Sequence, residues 1–341
     1  MVRILFIRHG MTVGNLLSAK MAIRVAKGEV LVQDSHRLGR DEQLALGLSE
    51  GEGDTHLSDY KGGGVLEAQM FADYWGPILQ SKEDAHEIHW YVSPMERCQQ
   101  TADPIMQRLQ AKATIQPLIM EMPGLCAPTD RVFLDEQVRP LFDSGNGATV
   151  AEKMQQRTWT RCGSTADEMR EKYKWVKDLD FSSLGALEAH RINQGVTPWW
   201  KGMWERPRET NARIEKAKEW LLGLADTLPK DDVIVLFSHG NTIWRLLSSI
   251  VGIDGDRVEH STANTSVSSV RVNPVSHSSH PRGVQLDFYN RTPHLNERNI
   301  AFYKFNGLLK RKVKSGKQKL VDLSDGMRAD RINAKAFMSS L

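Results

Sequence analysis

The tripeptide Arg8-His9-Gly10 stands directly after an apolar run, Val2–Ile7, and a second His-Gly pair, His239-Gly240, follows a second run, Val233–Phe237, through Ser238. Between them, Arg97 lies just beyond Ser93-Pro94, and Glu121 closes the stretch Ala113–Met120. These residue types suit one kind of chemistry when they share a site. Two guanidinium groups offer planar forks of donors that match the oxygens of a phosphoryl group. An imidazole can attack phosphorus and hold the group covalently, splitting one hard displacement into two easier ones. A carboxylic acid can protonate the leaving oxygen and later recover that proton from the attacking water. A second imidazole can stabilise charge on the equatorial oxygens. This scheme needs no metal and no cofactor.

The elements that must position these groups can be read around them. Val2–Ile7 and Val233–Phe237 are short continuous apolar runs, the pattern of strands buried on both faces of a parallel sheet. Ile88–Val92 reads as a third strand. Ser93-Pro94 is a start signal for a helix over Met95–Leu109, with Arg97 in its first turn. Ala113–Met120 reads as a fourth strand that delivers Glu121. Long helices are expected over Val65–Gln80 and Glu209–Leu228, a further helix over Ile243–Val251, and outer strands over Thr265–Val272 and Val284–Tyr289. The class is α/β, in which ligands collect at the carboxyl ends of strands and at helix N-termini.

Composition narrows the remaining choices. The balance of 45 Lys plus Arg against 42 Asp plus Glu leaves a net charge of +3, which argues against a dedicated nucleic-acid binder. That small number conceals an asymmetry: residues 282–341 hold 13 basic and 5 acidic side chains, densest over Lys310–Lys319, so the preceding body is acidic. Such a terminus reads as a solvated face or as an electrostatic contact with an anionic partner. Three cysteines, Cys98, Cys126 and Cys162, without a CxxC pair suggest free thiols in a reducing, cytoplasmic setting. No export leader and no transmembrane segment are expected. The terminal Ser-Ser-Leu only loosely resembles a peroxisomal address.

Residues 28–64 read mostly as loop, and residues 122–206, which hold five of the nine tryptophans, read as an insertion. His86/His89 and His277/His280 form two HxxH spacings, but they lack the cysteine or carboxylate partners of a metal site. The sequence contains neither GxxxxGK[ST] nor GxSxG, so it offers no P-loop and no serine-hydrolase elbow.

In sum the chain resembles the histidine phosphatase superfamily, also called phosphoglycerate mutase-like. The resembling segments are LFIRHGMTVGN (5–15), SPMERCQQTA (93–102), LIMEMPG (118–124), ERPRETNAR (205–213) and VLFSHGNTIWRLL (235–247). Weaker echoes stand at 57–69, Asn264–Val267 and Asn290–Leu295. The resemblance implies a three-layer α/β/α fold with a mostly parallel central sheet, formed by a catalytic domain over 1–295 with a basic extension over 296–341. It implies that His9 is the phosphohistidine nucleophile and Glu121 the proton donor. Arg8, Asn15, Arg97, His239 and Gly240 would complete the phosphate pocket. Met11 stands where many members carry Glu or Gln, and the text around Glu121 departs from the mutase pattern, which favours hydrolysis over mutase activity. The expected partner is a phosphorylated small molecule or phosphoprotein as substrate. A phosphoglycerate mutase and a non-catalytic relative that binds a phosphorylated ligand remain the alternatives.

Overall fold

The computed structural model describes residues 1–15, 57, 63–83, 86–121, 164–195, 199, 207–253, 262–274 and 283–295. Most of the 28–64 loop, residues 122–163 of the expected insertion, and the 296–341 extension lie outside them, as do Trp159, Trp200, Trp204, His277 and His280.

Among the described residues seven strands are present: β1 Val2–Arg8, β2 Ile88–Val92, β3 Ala113–Ile115, β4 Val176–Leu179, β5 Val233–Ser238, β6 Val267–Val272 and β7 Val284–Arg291. They form one sheet in the order β4-β3-β2-β5-β1-β6-β7. The ladder from β4 to β1 is parallel, whereas β1–β6 and β6–β7 are antiparallel. Six helices among the described residues accompany them: α1 Gly64–Glu83, α2 Glu96–Leu109, α3 Ala166–Lys172, α4 Ala186–Asn193, α5 Pro207–Thr227 and α6 Gly240–Val251.

The alternation along β1 and β5 explains the three layers. Leu5, Ile7, Val233, Val235 and Phe237 point to one face, where Phe71 of α1, Ile105 and Met106 of α2 and Met169 of α3 cover them. Ile4, Phe6, Ile234 and Leu236 point to the other, under Leu221 of α5 and Leu246 of α6. A strand covered on both faces can be apolar at every position, which is why these two runs read so clearly. Each such side chain stabilises by roughly 1.5–3 kcal/mol through burial.

Three expectations need correction. The strand read over Ala113–Met120 ends at Ile115, because the Gln116 side chain accepts the Leu118 N–H (3.2 Å) and Pro117 opens a 3₁₀ turn, Pro117–Ile119. Ser93 does not cap α2; the N-cap is Met95, without a side-chain bond, and Ser93 is turned toward His239. Part of the stretch taken as an insertion belongs to the sheet, since Val176–Leu179 pairs in parallel with β3 as edge strand β4.

Candidate active site

The register of three strands brings the sequence-predicted groups to one edge. Arg8 pairs with Ser238 across β1–β5, and Val92 pairs with Phe237 across β2–β5. His9, His239 and Ser93 are therefore the next residues out from neighbouring strands. The antiparallel β6 presents its N-terminal end here, so Asn264 and Thr265, just before it, come to the same edge.

The backbone around His9 is fastened on every side. His9 N–H donates to the Ser238 carbonyl (3.0 Å), and the His9 carbonyl accepts from Asn264 Nδ2 (2.9 Å) and from Thr265 N–H (3.3 Å). Gly10 N–H donates to Thr101 Oγ1 (2.8 Å), and Met11 N–H donates to the buried carboxylate of Glu67 on α1 (2.7 Å). A Cβ on Gly64 would meet the Met11 carbonyl oxygen at 2.1 Å, so only glycine lets α1 begin this close to the loop. Asn15 accepts from Asn264 Nδ2 (3.3 Å) and from Thr12 N–H (3.3 Å), which ties it to the same network.

The two imidazoles are buried, with ring centroids 5.2 Å apart. His9 Nδ1 lies 2.7 Å from the Gly10 carbonyl, which can only accept, so the proton is on Nδ1 and the lone pair on Nε2. For His239 the assignment is opposite: Arg97 Nε donates to its Nδ1 (3.2 Å), which leaves Nε2–H for Ser93 Oγ (2.9 Å). Burial, then the charges of Arg97 and Arg8, hold the His9 pKa well below 6.5, against an upward pull from the Gly10 carbonyl. Burial, Arg97 and, more weakly, His9, Arg213 and Arg8 do the same for His239.

Glu121 is delivered by a segment clamped at three successive carbonyls. Arg213 Nη1 donates to Leu118 O (2.9 Å), Ser238 Oγ to Ile119 O (2.6 Å) and Thr242 Oγ1 to Met120 O (2.8 Å). Its Oε2 then sits 3.7 Å from His239 Nδ1 and 3.8 Å from Arg97 Nη2. Arg8 Nη1 donates to the Thr262 carbonyl, while its buried Nε has no hydrogen-bond partner among the described residues. A Cβ at position 240 would stand 3.2 Å from that Nε, so Gly240 leaves room for Arg8 against the start of α6.

One atom each of His9, Glu121 and His239 lie within 4.8 Å of one another, a spacing that could hold a cation. Arg97 sets a fixed positive charge against two of the three, which favours an anion instead. At the opposite edge, His89 Nε2 lies 3.0 Å from Asp232 Oδ2 and its Nδ1 3.9 Å from Glu87 Oε1, so His89 of the described HxxH pair does have carboxylates beside it, contrary to the expectation from sequence. The edge thus brings together every sequence-predicted site residue: Arg8, His9, Asn15, Arg97, Glu121, His239 and Gly240. Sequence reading missed Ser93, Thr101, Glu67 and Asn264 as partners; Ser93 and Thr101 stand inside the SPMERCQQTA segment that singled out Arg97.

Residues 155–278, which carry β5, His239 and α6, match the model of the histidine phosphatase superfamily (branch 1). That match spans 124 of the chain's 341 residues and is a likeness of this stretch to that superfamily. No curated protein sequence matches the chain. Among solved structures it is similar to mycobacterial hydrolase 1, at 15% identity and a TM-score of 0.46, over 85% of this chain and 99% of that one. It is also similar to the Entamoeba histolytica phosphoserine phosphatase bound to 3-phosphoglyceric acid, at 16% identity and a TM-score of 0.42, over 87% of this chain and 100% of that one. A mycobacterial glucosyl-3-phosphoglycerate phosphatase complexed with VO3 matches at 16% identity and a TM-score of 0.42, over 85% and 99%. None of the described helices is long and apolar enough to cross a membrane.

The buried imidazoles have a consequence for stability. A third one, His294, has its pKa lowered by burial to about 4. In the unfolded chain each histidine takes up a proton below pH 6.5, whereas in the folded state it does not, so stability is lost as pH falls from 6.5 toward the folded pKa. For His294 the loss between pH 6.5 and 4.5 amounts to about 2 kcal/mol. Chemical denaturation of His294→Leu at the two pH values should show a pH-dependent loss smaller by that amount; an unchanged difference would mean that His294 titrates normally.

Proposed function

We propose that the protein is a phosphoric-monoester hydrolase working through a phosphohistidine at His9. The observation that carries this reading is the His9 tautomer, with Nδ1–H on the Gly10 carbonyl and a neutral Nε2 lone pair beside Arg97 and Arg8. Nε2 attacks phosphorus and the P–O bond to the leaving group breaks, while Glu121 gives its proton to the departing oxygen. Water then attacks the phosphohistidine, the P–N bond breaks, Glu121 takes the water proton, and inorganic phosphate leaves. Arg8, Arg97 and Asn15 bind the phosphoryl oxygens, with the start of α6 at Gly240 adding the positive end of its dipole. His239 stabilises charge that develops on the transferring group. The chemistry uses no metal, and the substrate is a phosphorylated small molecule or a phosphoprotein.

Phosphate release from p-nitrophenyl phosphate and from alkyl phosphates, with and without a chelator, tests this. Chelator should leave the rates unchanged. Glu121→Gln should slow alkyl phosphate hydrolysis by about 10²–10⁴-fold, the usual worth of a general acid, and slow the nitrophenyl ester far less in the first step because its leaving group needs no proton. Equal losses on both substrates in the burst phase would remove Glu121 from the proton-donor role. A requirement for added metal would sink the mechanism.

A further inference from the structure

His294 lies beyond β7, in the segment Asn290–Leu295, and the mechanism above gives it no role. Its side chain is buried at 7% exposure and its ring stands edge-on to Phe71 of α1, centroids 5.4 Å apart at 87°. Trp75 Nε1, also on α1, donates to His294 Nδ1 (3.4 Å), so the proton is on Nε2, which donates to Thr265 Oγ1 (2.9 Å). The Thr265 hydroxyl is then free to donate to the Asn264 carbonyl (2.8 Å), and Asn264 Nδ2 reaches both the His9 carbonyl and Asn15 Oδ1. Each link has one donor and one acceptor, and the direction is consistent from Trp75 to His9.

The conformation of Thr265 explains why such a link is needed. Its φ is +52°, a left-handed backbone that a β-branched residue adopts only when its surroundings hold it. In that conformation its N–H meets the His9 carbonyl at 3.3 Å and the preceding Asn264 side chain meets it at 2.9 Å. That carbonyl belongs to the His9–Gly10 peptide, and the carbonyl that orients the imidazole is that of the following peptide, Gly10–Met11.

We propose that His294 is a positioning residue for His9, holding Thr265 in its left-handed conformation so that Asn264 and Thr265 fix the His9–Gly10 peptide, from which both the nucleophilic ring and the Gly10 carbonyl that orients it project. A neutral imidazole fits this place because it accepts from Trp75 on one side and donates to Thr265 on the other. A protonated ring would lose the acceptor, and the low pKa of His294 agrees with a neutral one. The role rests on the phosphohistidine reading for its effect on rate, but the placement of His9 can be read without turnover.

The test compares three variants of the full chain. In His294→Gln the amide nitrogen reaches toward the Nε2 position and can still donate to Thr265, in His294→Asn the shorter side chain can only accept from Trp75 through its amide oxygen, and His294→Leu keeps volume with no polar group. His294→Leu and His294→Asn should lower kcat on p-nitrophenyl phosphate by about 10- to 100-fold, the order of loss for a misaimed group, with KM within about threefold, and His294→Gln should recover most of kcat. The His9 ring ¹⁵N shifts should show Nδ1–H uniquely in wild type and His294→Gln, and a tautomer mixture in the other two. Loss of kcat in all three that follows only the folded fraction, or recovery in Asn instead of Gln, would overturn the proposal. If wild type releases no phosphate the phosphatase reading fails by itself, and the ¹⁵N shifts decide alone: unchanged His9 shifts in His294→Leu would overturn the placement.

Discussion

His9→Ala should reduce phosphate release from p-nitrophenyl phosphate by at least about 10³-fold, because no second nucleophile takes over a covalent route. Acid-labile radiolabelled phosphoenzyme, trapped by rapid quench from wild type, should be missing from the variant. Binding of inorganic phosphate should persist within about fivefold, since Arg8 and Arg97 supply most of the attraction and both are held by contacts independent of the His9 ring: Arg8 by the Thr262 carbonyl, Arg97 by His239 and Glu121. The split separates loss of chemistry from loss of the site. Retained turnover would place the nucleophile elsewhere; parallel loss of turnover and phosphate binding would mean that the ring was holding the pocket together.

Arg97 carries the second large effect, because it touches two other site residues at once. Its Nε donates to His239 Nδ1, its Nη2 lies 3.8 Å from Glu121 Oε2, and its charge is the second cause, after burial, of the lowered pKa of both His9 and His239. Arg97→Met should lower kcat/KM by about 10³-fold, the scale for losing a donor aimed at developing charge. It should also move the acid limb of the pH profile upward. The sign follows from the Coulomb contribution: without the neighbouring cation the protonated imidazole is less disfavoured, so the inactive form of His9 persists to higher pH. Arg97→Lys should bring the acid limb back toward its wild-type position without restoring the rate, since an ammonium returns charge but not the fork. An unmoved acid limb in Arg97→Met would show that burial alone controls His9.

The parts of this site that were legible in the sequence share one physical property: they sit where a doubly buried strand ends. Val233–Phe237 throughout, and Val2–Ile7 apart from Arg3, are apolar because both faces are covered, and the His-Gly after each is abrupt. β4 was not legible, because Val-Lys-Asp-Leu at the sheet edge has two exposed central residues and no continuous apolar run. The 3₁₀ turn at Pro117–Ile119 was hidden by apolar residues that suit a strand equally well, and only Pro117 hinted at the break. Asn264, Thr265 and His294 act through long-range hydrogen bonds to residues near the other end of the chain or on α1. No local periodicity records such pairings, and a threonine gives no local sign that its φ is +52°.

The strand order also governs when the reactive histidine can be housed. β1 pairs with β5 and β6, whose first residues are Val233 and Val267, more than two hundred positions further along the chain. At about 5–20 residues per second of synthesis, β1 waits on the order of ten to fifty seconds before both neighbours exist. During that interval an apolar ribbon with two open edges is available to other nascent chains and to chaperones. Birth of the sheet's centre from its two chain-distant halves makes assembly slow for a fold of this size, and β1, which leads into His9, is the segment most in need of protection on the ribosome.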